Sequence, residues 1–412
     1  MTSNSAADAA PSLIKFSNRK NTDNSDIASK PKNLNGYYCE YFFQRAEITQ
    51  AGRVFMCCPH WLPVIIGDLN TQTMQEIWNG PRAQKVRAQI YENKNWPLCK
   101  HETCPRIQRG DLMEISKLEQ MRNCEDLDSA SLTGMYHRLT DWEINAVKNK
   151  STVADQMPNQ VQIGTDESCN LYCPSCRVEK VMHTRGEQYE KRKKLNDKLF
   201  EELLSVPEDY KYEWWITGGG DPFGSKIFRE KLQTLDLTNR PNTKIHMQTN
   251  GVMLTPKVWN SMSKIHSNIG GIIFSLDAAT KHTYENLTRL GGDWDQLMKN
   301  INFVYDQYDS YKDFYMNFSF VVQTCNYREI PDYLELIVKN WVDEEKDKNS
   351  RASFSLILDW GHMDDHDDRA IWKKNHPEHE NFLQVLRDPR LTEWKQWADY
   401  GNMTTFWEQA NE

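Results

Sequence analysis

Six β-rich apolar runs alternate with helix-length segments between residues 160 and 360, and this alternation constrains the fold more than any other feature of the chain. The apolar runs are residues 161–164, 212–217, 244–249, 271–276, 315–322 and 354–358. The helix-length segments between them include residues 195–204, 256–265, 294–308 and 329–342. Strands that alternate with helices form a parallel sheet with the helices outside it. The sequence therefore predicts an α/β fold whose main domain is a partial (β/α)6 barrel.

The remainder of the chain divides where its composition changes. Residues 1–36 are rich in Ser, Asn, Asp, Ala and Lys and lack apolar periodicity, so we expect a disordered tail. Residues 37–106 predict a small cysteine-rich α+β domain, and residues 107–157 predict a polar helical connector. The barrel then occupies residues 158–360, and residues 361–412 predict an Asp- and His-rich loop followed by a capping helix.

The cysteine-rich domain has a clear local pattern. Residues 38–48 and 53–57 predict two strands, joined by a turn at residues 49–52. A helix is predicted over residues 74–91, and we expect an interruption at Pro81 because proline lacks the N–H that a helix interior needs.

Bulk composition narrows the class of function. The 412 residues carry a formal net charge of -8, which argues against a general nucleic-acid binder with its basic surface. No apolar run approaches the roughly 18 residues that span a bilayer, and the N-terminus lacks the charged-then-apolar order of a signal peptide. We therefore expect a cytoplasmic protein without a membrane partner. In that compartment the ten cysteines predict metal ligands and buried thiols rather than disulfides.

Three cysteines follow the first predicted barrel strand in a C-x3-C-x2-C pattern, Cys169, Cys173 and Cys176. Thiolates are soft ligands that suit iron–sulfur clusters. Because only three ligands are supplied locally, one iron of a four-iron cluster would stay open for a substrate or cofactor. A zinc knuckle is the alternative, although a structural zinc site needs four closed ligands.

This cysteine pattern resembles the signature of the radical S-adenosylmethionine (radical SAM) superfamily. The resemblance implies a 4Fe–4S cluster on Cys169, Cys173 and Cys176, whose open iron binds the amino and carboxylate groups of SAM. It also implies an activity, in which one electron cleaves the sulfonium and yields a 5′-deoxyadenosyl radical that abstracts hydrogen from a substrate. The similarity extends over residues 158–360.

Further motifs at the predicted strand ends are similar to the family's SAM-contacting segments. The loop after the second strand resembles its glycine-glycine-acid motif, and the segment after the fourth strand resembles the one that contacts the sugar and carboxylate of SAM. Such positions, at the C-terminal ends of strands, are where barrel active sites gather. The resemblance assigns SAM binding to Gly219, Gly220, Asp221, Ser275, Asp277 and Arg289. Two positions depart from the family pattern: Asp221 replaces the commoner Glu, and Ser175 stands where an aromatic residue often precedes the third cysteine.

Five more cysteines fall within residues 37–106, and their arrangement resembles the auxiliary-cluster modules called SPASM and twitch domains. Those modules usually follow the barrel, whereas here the module precedes it. The resemblance implies a second 4Fe–4S cluster with the ligands Cys39, Cys57, Cys99 and Cys104. Cys58 is the alternative to Cys57, because adjacent cysteines rarely both reach one cluster. A structural zinc site that includes His60 or His101 is the alternative for the whole module.

Other polar and reactive residues have simpler interpretations. Isolated Cys124 and Cys325 predict buried, inert thiols. The charged run at residues 177–194 could grip an acidic peptide or a phosphate, but a solvated outer helix is the expected structure. Four histidines fit no tight metal motif and predict a surface loop: His362, His366, His376 and His379.

Together these features predict a radical SAM enzyme with two 4Fe–4S clusters, SAM, and an electron donor such as flavodoxin or ferredoxin. By family analogy we expect a peptide or protein substrate and an electron-transfer role for the auxiliary cluster. One alternative is oxidation or rearrangement of a carbohydrate or nucleotide metabolite, with structural zinc in the N-terminal module. Another is a metal-binding protein that uses the fold as a scaffold, against which the complete set of barrel motifs argues.

Overall fold

The structure is a computed structural model, and it describes residues 32–110, 112–119, 139–177, 179–216, 219–307, 310, 314–346, 348–359, 361 and 363–411. The predicted tail at residues 1–36 falls almost entirely outside these ranges, as do Cys124 and His362.

One large sheet organises the described part of the chain. The strands are β1 (Tyr37–Tyr38), β2 (Arg45–Ile48), β3 (Arg53–Phe55), β4 (Gly67–Asp68), β5 (Met113–Glu114), β6 (Gln160–Ile163), β7 (Tyr212–Ile216), β8 (Thr243–Thr249), β9 (Ile269–Ser275), β10 (Tyr315–Val322), β11 (Val342–Asp343), β12 (Lys348–Asn349), β13 (Arg351–Leu356) and β14 (Ala398–Asp399). Ten of them form a sheet in the order β14-β13-β10-β9-β8-β7-β6-β2-β3-β4. The six strands from β6 to β13 in this sheet pair in parallel, in chain order, where six strands were predicted. The predicted α/β class is confirmed.

Helices follow the barrel strands along the chain, and others belong to the N-terminal module, the connector and the C-terminal segment. They are α1 (Tyr41–Gln44), α2 (Met74–Trp78), α3 (Pro81–Glu92), α4 (Pro105–Arg109), α5 (Asp141–Lys148), α6 (Glu187–Leu204), α7 (Lys226–Thr234), α8 (Pro256–Asn260), α9 (Lys281–Thr283), α10 (Trp294–Asp306), α11 (Ile330–Trp341), α12 (His366–Arg369), α13 (His379–Val385), α14 (Pro389–Glu393) and α15 (Thr404–Asn411). Polar caps start two of the barrel helices, α7 and α10: Ser225 accepts from the Phe228 N–H, and Asp293 from the Gln296 N–H. Such a cap contributes about 1 kcal/mol. Among the described helices, none combines the length and apolar character needed to span a bilayer.

The barrel core lies between the outer faces of the strands and these helices. Trp214 on β7 meets Phe200 on α6 edge to face, with ring centroids 5.5 Å apart. Phe318 on β10 stacks on Trp341 of α11 at 4.6 Å. Along β10 alternate residues are fully buried, because they face the helices, while those between them are partly exposed on the inner face. The inner face therefore has room for polar side chains.

In the N-terminal module, residues 37–106, the structure differs from the prediction of one continuous strand over residues 38–48. Tyr38 ends β1 and Arg45–Ile48 is β2, but Tyr41–Gln44 between them is a helical turn. All four residues of that turn are buried. Phe42 contacts Trp96 and Phe43 contacts Trp142, at centroid distances of 5.6 and 6.1 Å. The predicted break at Pro81 is confirmed, since α2 ends before it and α3 begins at it.

The N-terminal module joins both edges of the barrel sheet, a relationship that the sequence did not predict. Its strand β2 pairs in parallel with β6, the first barrel strand. Its helix α4 contacts the short turn Gly401–Met403, which packs on β13, the last barrel strand. The module therefore lies across the gap between the first and last barrel strands.

The connector and the C-terminal segment are built from short elements. Within the predicted connector, β5 pairs with β1 of the N-terminal module, and α5 begins with a capping box at Thr140 and Glu143. The predicted capping helix is instead the series α13, α14 and α15, separated by turns. Tyr400 in this segment stacks on Phe354 of β13, with centroids 5.7 Å apart.

Candidate metal and SAM site

The three predicted cluster cysteines lie on one loop that leaves the C-terminal end of β6. The Cys169 N–H donates to the Val181 carbonyl at 2.9 Å, and the Cys176 N–H donates to the Cys173 carbonyl at 2.9 Å. Cys169 and Cys173 are buried, whereas Cys176 is exposed. The loop thus gathers three thiols and leaves one side of the group open.

Each thiol of this loop has a hydrogen-bond donor. The Leu171 N–H lies 3.4 Å and the Asn250 amide nitrogen 3.6 Å from the sulfur of Cys169. The sulfur of Cys173 lies 3.8 Å from a guanidinium nitrogen of Arg289. The sulfur of Cys176 similarly accepts from Arg177 at 3.7 Å. Such donors stabilise thiolates, which are the form that binds metal.

Burial opposes the ionised form of two of these thiols. It raises the pKa of Cys169 to about 12, with the nearby carboxylate of Asp221 adding to the effect. Burial also raises the pKa of Cys173, while the charge of Arg289 opposes this rise. Cys169 and Cys173 therefore fit a site that a metal centre would ionise, because the metal's positive charge displaces the protons.

The predicted glycine-rich loop lies against the cluster loop. A Cβ atom on Gly220 would stand 2.5 Å from the Asp166 carbonyl oxygen and 2.8 Å from that of Ser168. The neighbouring Asp221 N–H donates to the Ser168 carbonyl at 2.9 Å. Gly219 has more space, and its carbonyl accepts from the Arg177 guanidinium. The two loops can be this close only because residue 220 is glycine.

Asp221 is buried and acts as a junction between loops. One oxygen accepts from the Thr249 hydroxyl at 2.8 Å and the Asn250 N–H at 2.7 Å. The other accepts from the N–H groups of Phe223 and Gly224. Asp221 therefore fixes the end of β8 relative to the glycine loop. Its predicted contact with SAM stays a prediction.

The predicted residues after β9 also approach the cluster loop. Asp277 has a left-handed backbone, with φ of 57°, and its carboxylate lies 2.7 Å from the Arg289 guanidinium. Arg289 follows a π-helical turn, and its N–H bonds to the Tyr284 carbonyl. Ser275 lies on the inner face, where its hydroxyl accepts from Gln248 at 3.3 Å and from Ser319 at 3.2 Å. The Arg289 guanidinium thus contacts both the Asp277 carboxylate and the sulfur of Cys173.

The N-terminal module contains a second group of thiols around a cavity. The cavity lining includes all four predicted ligands, Cys39, Cys57, Cys99 and Cys104. Cys58 is not part of this lining, although it adjoins Cys57 in the chain. Four converging thiols match the donor set of an iron–sulfur cluster or of zinc.

Each thiol of the cavity comes from a different local structure. Cys39 lies between β1 and α1, and Cys57 follows β3. Cys99 is in a turn in which its N–H donates to the Trp96 carbonyl at 2.9 Å, and Cys104 caps the N-terminus of α4. Burial raises the pKa of Cys99 to about 12, and the neighbouring Cys104 adds to this rise.

The histidines proposed for a zinc site lie elsewhere. His101 accepts from the Lys32 N–H at 3.1 Å, and its other ring nitrogen lies 2.6 Å from the Asn95 carbonyl. Neither His101 nor His60 lines the cavity. The thiols thus form the donor set among the residues that surround the cavity.

Other residues weighed from the sequence have structural partners. Arg192, in the charged run, pairs with Glu167, which also contacts His183 at 3.0 Å. Sequence reasoning missed this group because its members are 16 and 25 residues apart. Of the C-terminal histidines, His376 contacts the Thr324 hydroxyl at 3.2 Å and His379 the Ile371 carbonyl at 3.2 Å. His366 is near Asp367, at 3.6 Å, and Cys325 is only partly buried.

Two family models match the chain. The model for the radical SAM superfamily matches residues 167–337, which contain the loop with three thiols. The model for SPASM, an iron–sulfur cluster-binding domain, matches residues 39–105, which contain the four thiols around the cavity.

Individual proteins match less of the chain. An uncharacterized protein of Archaeoglobus fulgidus is 27% identical over 177 residues, which are 42% of this chain and 37% of that relative. The chain thus matches little more than a third of that curated relative's length. A structure described as "Structure of TYW1 with a lysine-pyruvate adduct bound" is 16% identical, with 53% of this chain and 68% of the other covered and a TM-score of 0.31. A structure described as "Native anSMEcpe with bound AdoMet" is 20% identical, with 47% of this chain and 50% of the other covered and a TM-score of 0.31. At these TM-scores the overlap does not define the fold, which the strand order establishes directly.

The two matched domains account for both groups of thiols. A radical SAM domain takes a 4Fe–4S cluster and SAM, and a SPASM domain takes a 4Fe–4S cluster. The donor sets fit these cofactors, since three thiols lie on one open loop and four surround a buried cavity. The chain therefore carries a radical SAM domain over residues 167–337, preceded by a SPASM iron–sulfur cluster-binding domain over residues 39–105.

Proposed function

We propose that this protein is a radical SAM enzyme that reductively cleaves SAM and abstracts a hydrogen atom from a peptide or protein. The proposal rests on two approaches to the loop that carries the cluster cysteines. Gly220 packs against the backbone just before Cys169. Arg289, which is paired with Asp277, contacts the sulfur of Cys173. Gly220 and Asp277 follow the C-terminal ends of β7 and β9, where barrel enzymes place their active sites, and Arg289 lies in the segment after β9.

Cys169, Cys173 and Cys176 would hold the first cluster. The cluster, when bound with SAM, supplies the electron that cleaves the sulfonium and gives the 5′-deoxyadenosyl radical. The chain's own residues set the environment for this chemistry. Leu171 and Asn250 donate to the sulfur of Cys169, and Arg289 places a positive charge beside Cys173. These contacts stabilise the thiolates and orient them on one loop.

Glycine and carboxylate residues would form the SAM side of the site. Gly219 and Gly220 allow close backbone approach, and Ser275 offers a hydroxyl on the inner face of the sheet. Asp277 holds Arg289 in place through their ion pair. We assign these residues to SAM binding together with Asp221, which positions the glycine loop.

Cys39, Cys57, Cys99 and Cys104 would hold the second cluster, which we assign to electron transfer. Four thiols line the cavity, so each iron of a cubic cluster would have a protein ligand and none would stay open. The module that contains this cavity pairs its strand β2 with β6, the first barrel strand.

The nature of the substrate and of the partners rests on family analogy. Radical SAM enzymes with an auxiliary cluster modify peptides or proteins, or oxidise small molecules, and by this analogy we assign a peptide substrate. A flavodoxin or ferredoxin would supply the electron, and a reducing cytoplasm suits a chain that uses its cysteines as metal ligands.

Product analysis of anaerobically reconstituted protein tests the proposal. With SAM and a flavodoxin or dithionite as reductant, the protein should form 5′-deoxyadenosine, and replacement of Cys169, Cys173 and Cys176 with Ala should abolish it. The matched control is Cys325→Ala, which removes a thiol outside both groups and should retain activity. Equal product from the triple variant and the unaltered protein would refute the proposal.

A further inference from the structure

Trp96 combines three features that its packing alone does not explain. The side chain is 1% exposed and lines the cavity of the four N-terminal thiols. Its indole Nε1–H has no hydrogen-bond acceptor among the described residues. Its backbone φ is 40°, in the left-handed region that non-glycine residues rarely adopt.

Two of these features carry a cost. A buried N–H without an acceptor loses its hydrogen bonds to water. A left-handed backbone at a non-glycine residue is strained. The following Pro97 favours an extended conformation for the residue before it, so the strain is not relieved locally. An acceptor inside the cavity would offset the first cost.

The surroundings fix the indole beside the thiols. The ring of Trp96 packs against Phe42, with centroids 5.6 Å apart. The Trp96 carbonyl accepts from the Cys99 N–H at 2.9 Å, so the turn that holds the ring also presents this cysteine to the cavity. A displacement of the ring would therefore displace a thiol.

We propose that the Nε1–H of Trp96 donates a hydrogen bond to a sulfur atom of the auxiliary cluster, and thereby positions the cluster and raises its reduction potential. The inference rests on the proposed second cluster. Reduction adds negative charge to the cluster sulfurs, so a donor stabilises the reduced state more than the oxidised state. Trp96 is thus a positioning residue that acts on the cluster rather than on substrate.

Trp214 offers a matched control for a Trp96→Phe variant. Its indole N–H is also buried and without an acceptor among the described residues, but it lies on β7 against Phe200, outside the cavity lining. The Trp96→Phe variant should shift the midpoint potential of the auxiliary cluster to a more negative value. The Trp214→Phe variant should leave it unchanged. In each titration, the signal that changes when SAM is added is assigned to the barrel cluster, and the other signal is assigned to the auxiliary cluster.

A measurement on the unaltered sequence tests the hydrogen bond even when the Trp96→Phe variant does not retain the cluster. In holoprotein labelled with ¹⁵N-indole tryptophan, pulsed EPR of the reduced auxiliary cluster should detect coupling to one indole nitrogen. The coupling should persist in Trp214→Phe and vanish in any Trp96→Phe protein that retains the cluster. If the auxiliary cluster is present but shows no indole coupling, the proposed role of Trp96 is wrong, while the assignment of the second cluster still holds. Zinc in place of this cluster would overturn the assignment of the second cluster as well.

Discussion

The guanidinium of Arg289 lies 2.7 Å from the carboxylate of Asp277, and the same guanidinium lies 3.8 Å from the sulfur of Cys173. Asp277 is 1% exposed, and burial raises its pKa while Arg289 opposes the rise. Arg289 therefore links the end of β9 to the cluster loop, and its charge opposes the rise in the pKa of Asp277 that burial causes.

Removal of one partner of this pair should be costly. Arg289→Met leaves the Asp277 carboxylate buried without its cation, so we expect unfolding free energy to fall by about 3–5 kcal/mol. Asp277→Asn in the same chain removes the unpaired charge and should recover most of this loss. Asparagine also tolerates the left-handed backbone at residue 277. Urea unfolding of both single variants and the double variant measures the coupling, and additive effects would contradict a direct pair.

The glycine loop allows a test with a closely matched control. Gly220→Ala places a Cβ 2.5 Å from the Asp166 carbonyl oxygen, so the cluster loop must shift. At Gly219 the nearest atom to an added Cβ is 3.7 Å away, on Glu167, which is ordinary contact. We expect Gly220→Ala to lose the barrel cluster and Gly219→Ala to keep it. Iron content after reconstitution checks this, and equal iron in both variants would argue against the close approach.

The sequence predicted the barrel because each strand–helix unit leaves a local signal. The apolar run at 212–217 and the pattern of the three cluster cysteines need no knowledge of distant residues. The helical turn Tyr41–Gln44 was missed because its cause is distant packing, of Phe42 on Trp96 and Phe43 on Trp142. The pairing of β2 with β6 was missed for the same reason, since more than 100 intervening residues separate the two strands.

Acid should weaken the attachment of the C-terminal segment. Arg390 on α14 lies 2.5 Å from Glu335 and 2.8 Å from Asp332, both on α11, and 2.9 Å from Asp388. Hydrogen bonds from Lys339 and Arg390 lower the pKa of Glu335, and a hydrogen bond from Arg390 lowers the pKa of Asp388. Because both folded-state pKa values are below the unfolded ones, the stabilisation is present above about pH 4 and is lost as pH falls through the lowered values.

The Arg390→Ala variant isolates this contribution. The difference in unfolding free energy between the unaltered protein and Arg390→Ala should be largest near neutral pH and should shrink towards zero in acid. It should also shrink in high salt, since these side chains are partly exposed and screened. A difference that stays constant with pH would show that Arg390 acts through packing of its alkyl chain instead.

The N-terminal thiols provide the most demanding prediction, because Cys57 and Cys58 are adjacent and only Cys57 lines the cavity. Two four-iron clusters require about eight irons per chain. Cys57→Ala should reduce this to about four, because a cluster in the cavity loses a ligand. Cys58→Ala should leave about eight, since its sulfur is not part of the lining. The same loss from both variants would show that the two adjacent thiols share the site, and about four irons with stoichiometric zinc in the unaltered protein would make the module a structural zinc site. Zinc would satisfy the same thiolates but could not carry an electron, so the metal count also decides whether this module can take part in electron transfer.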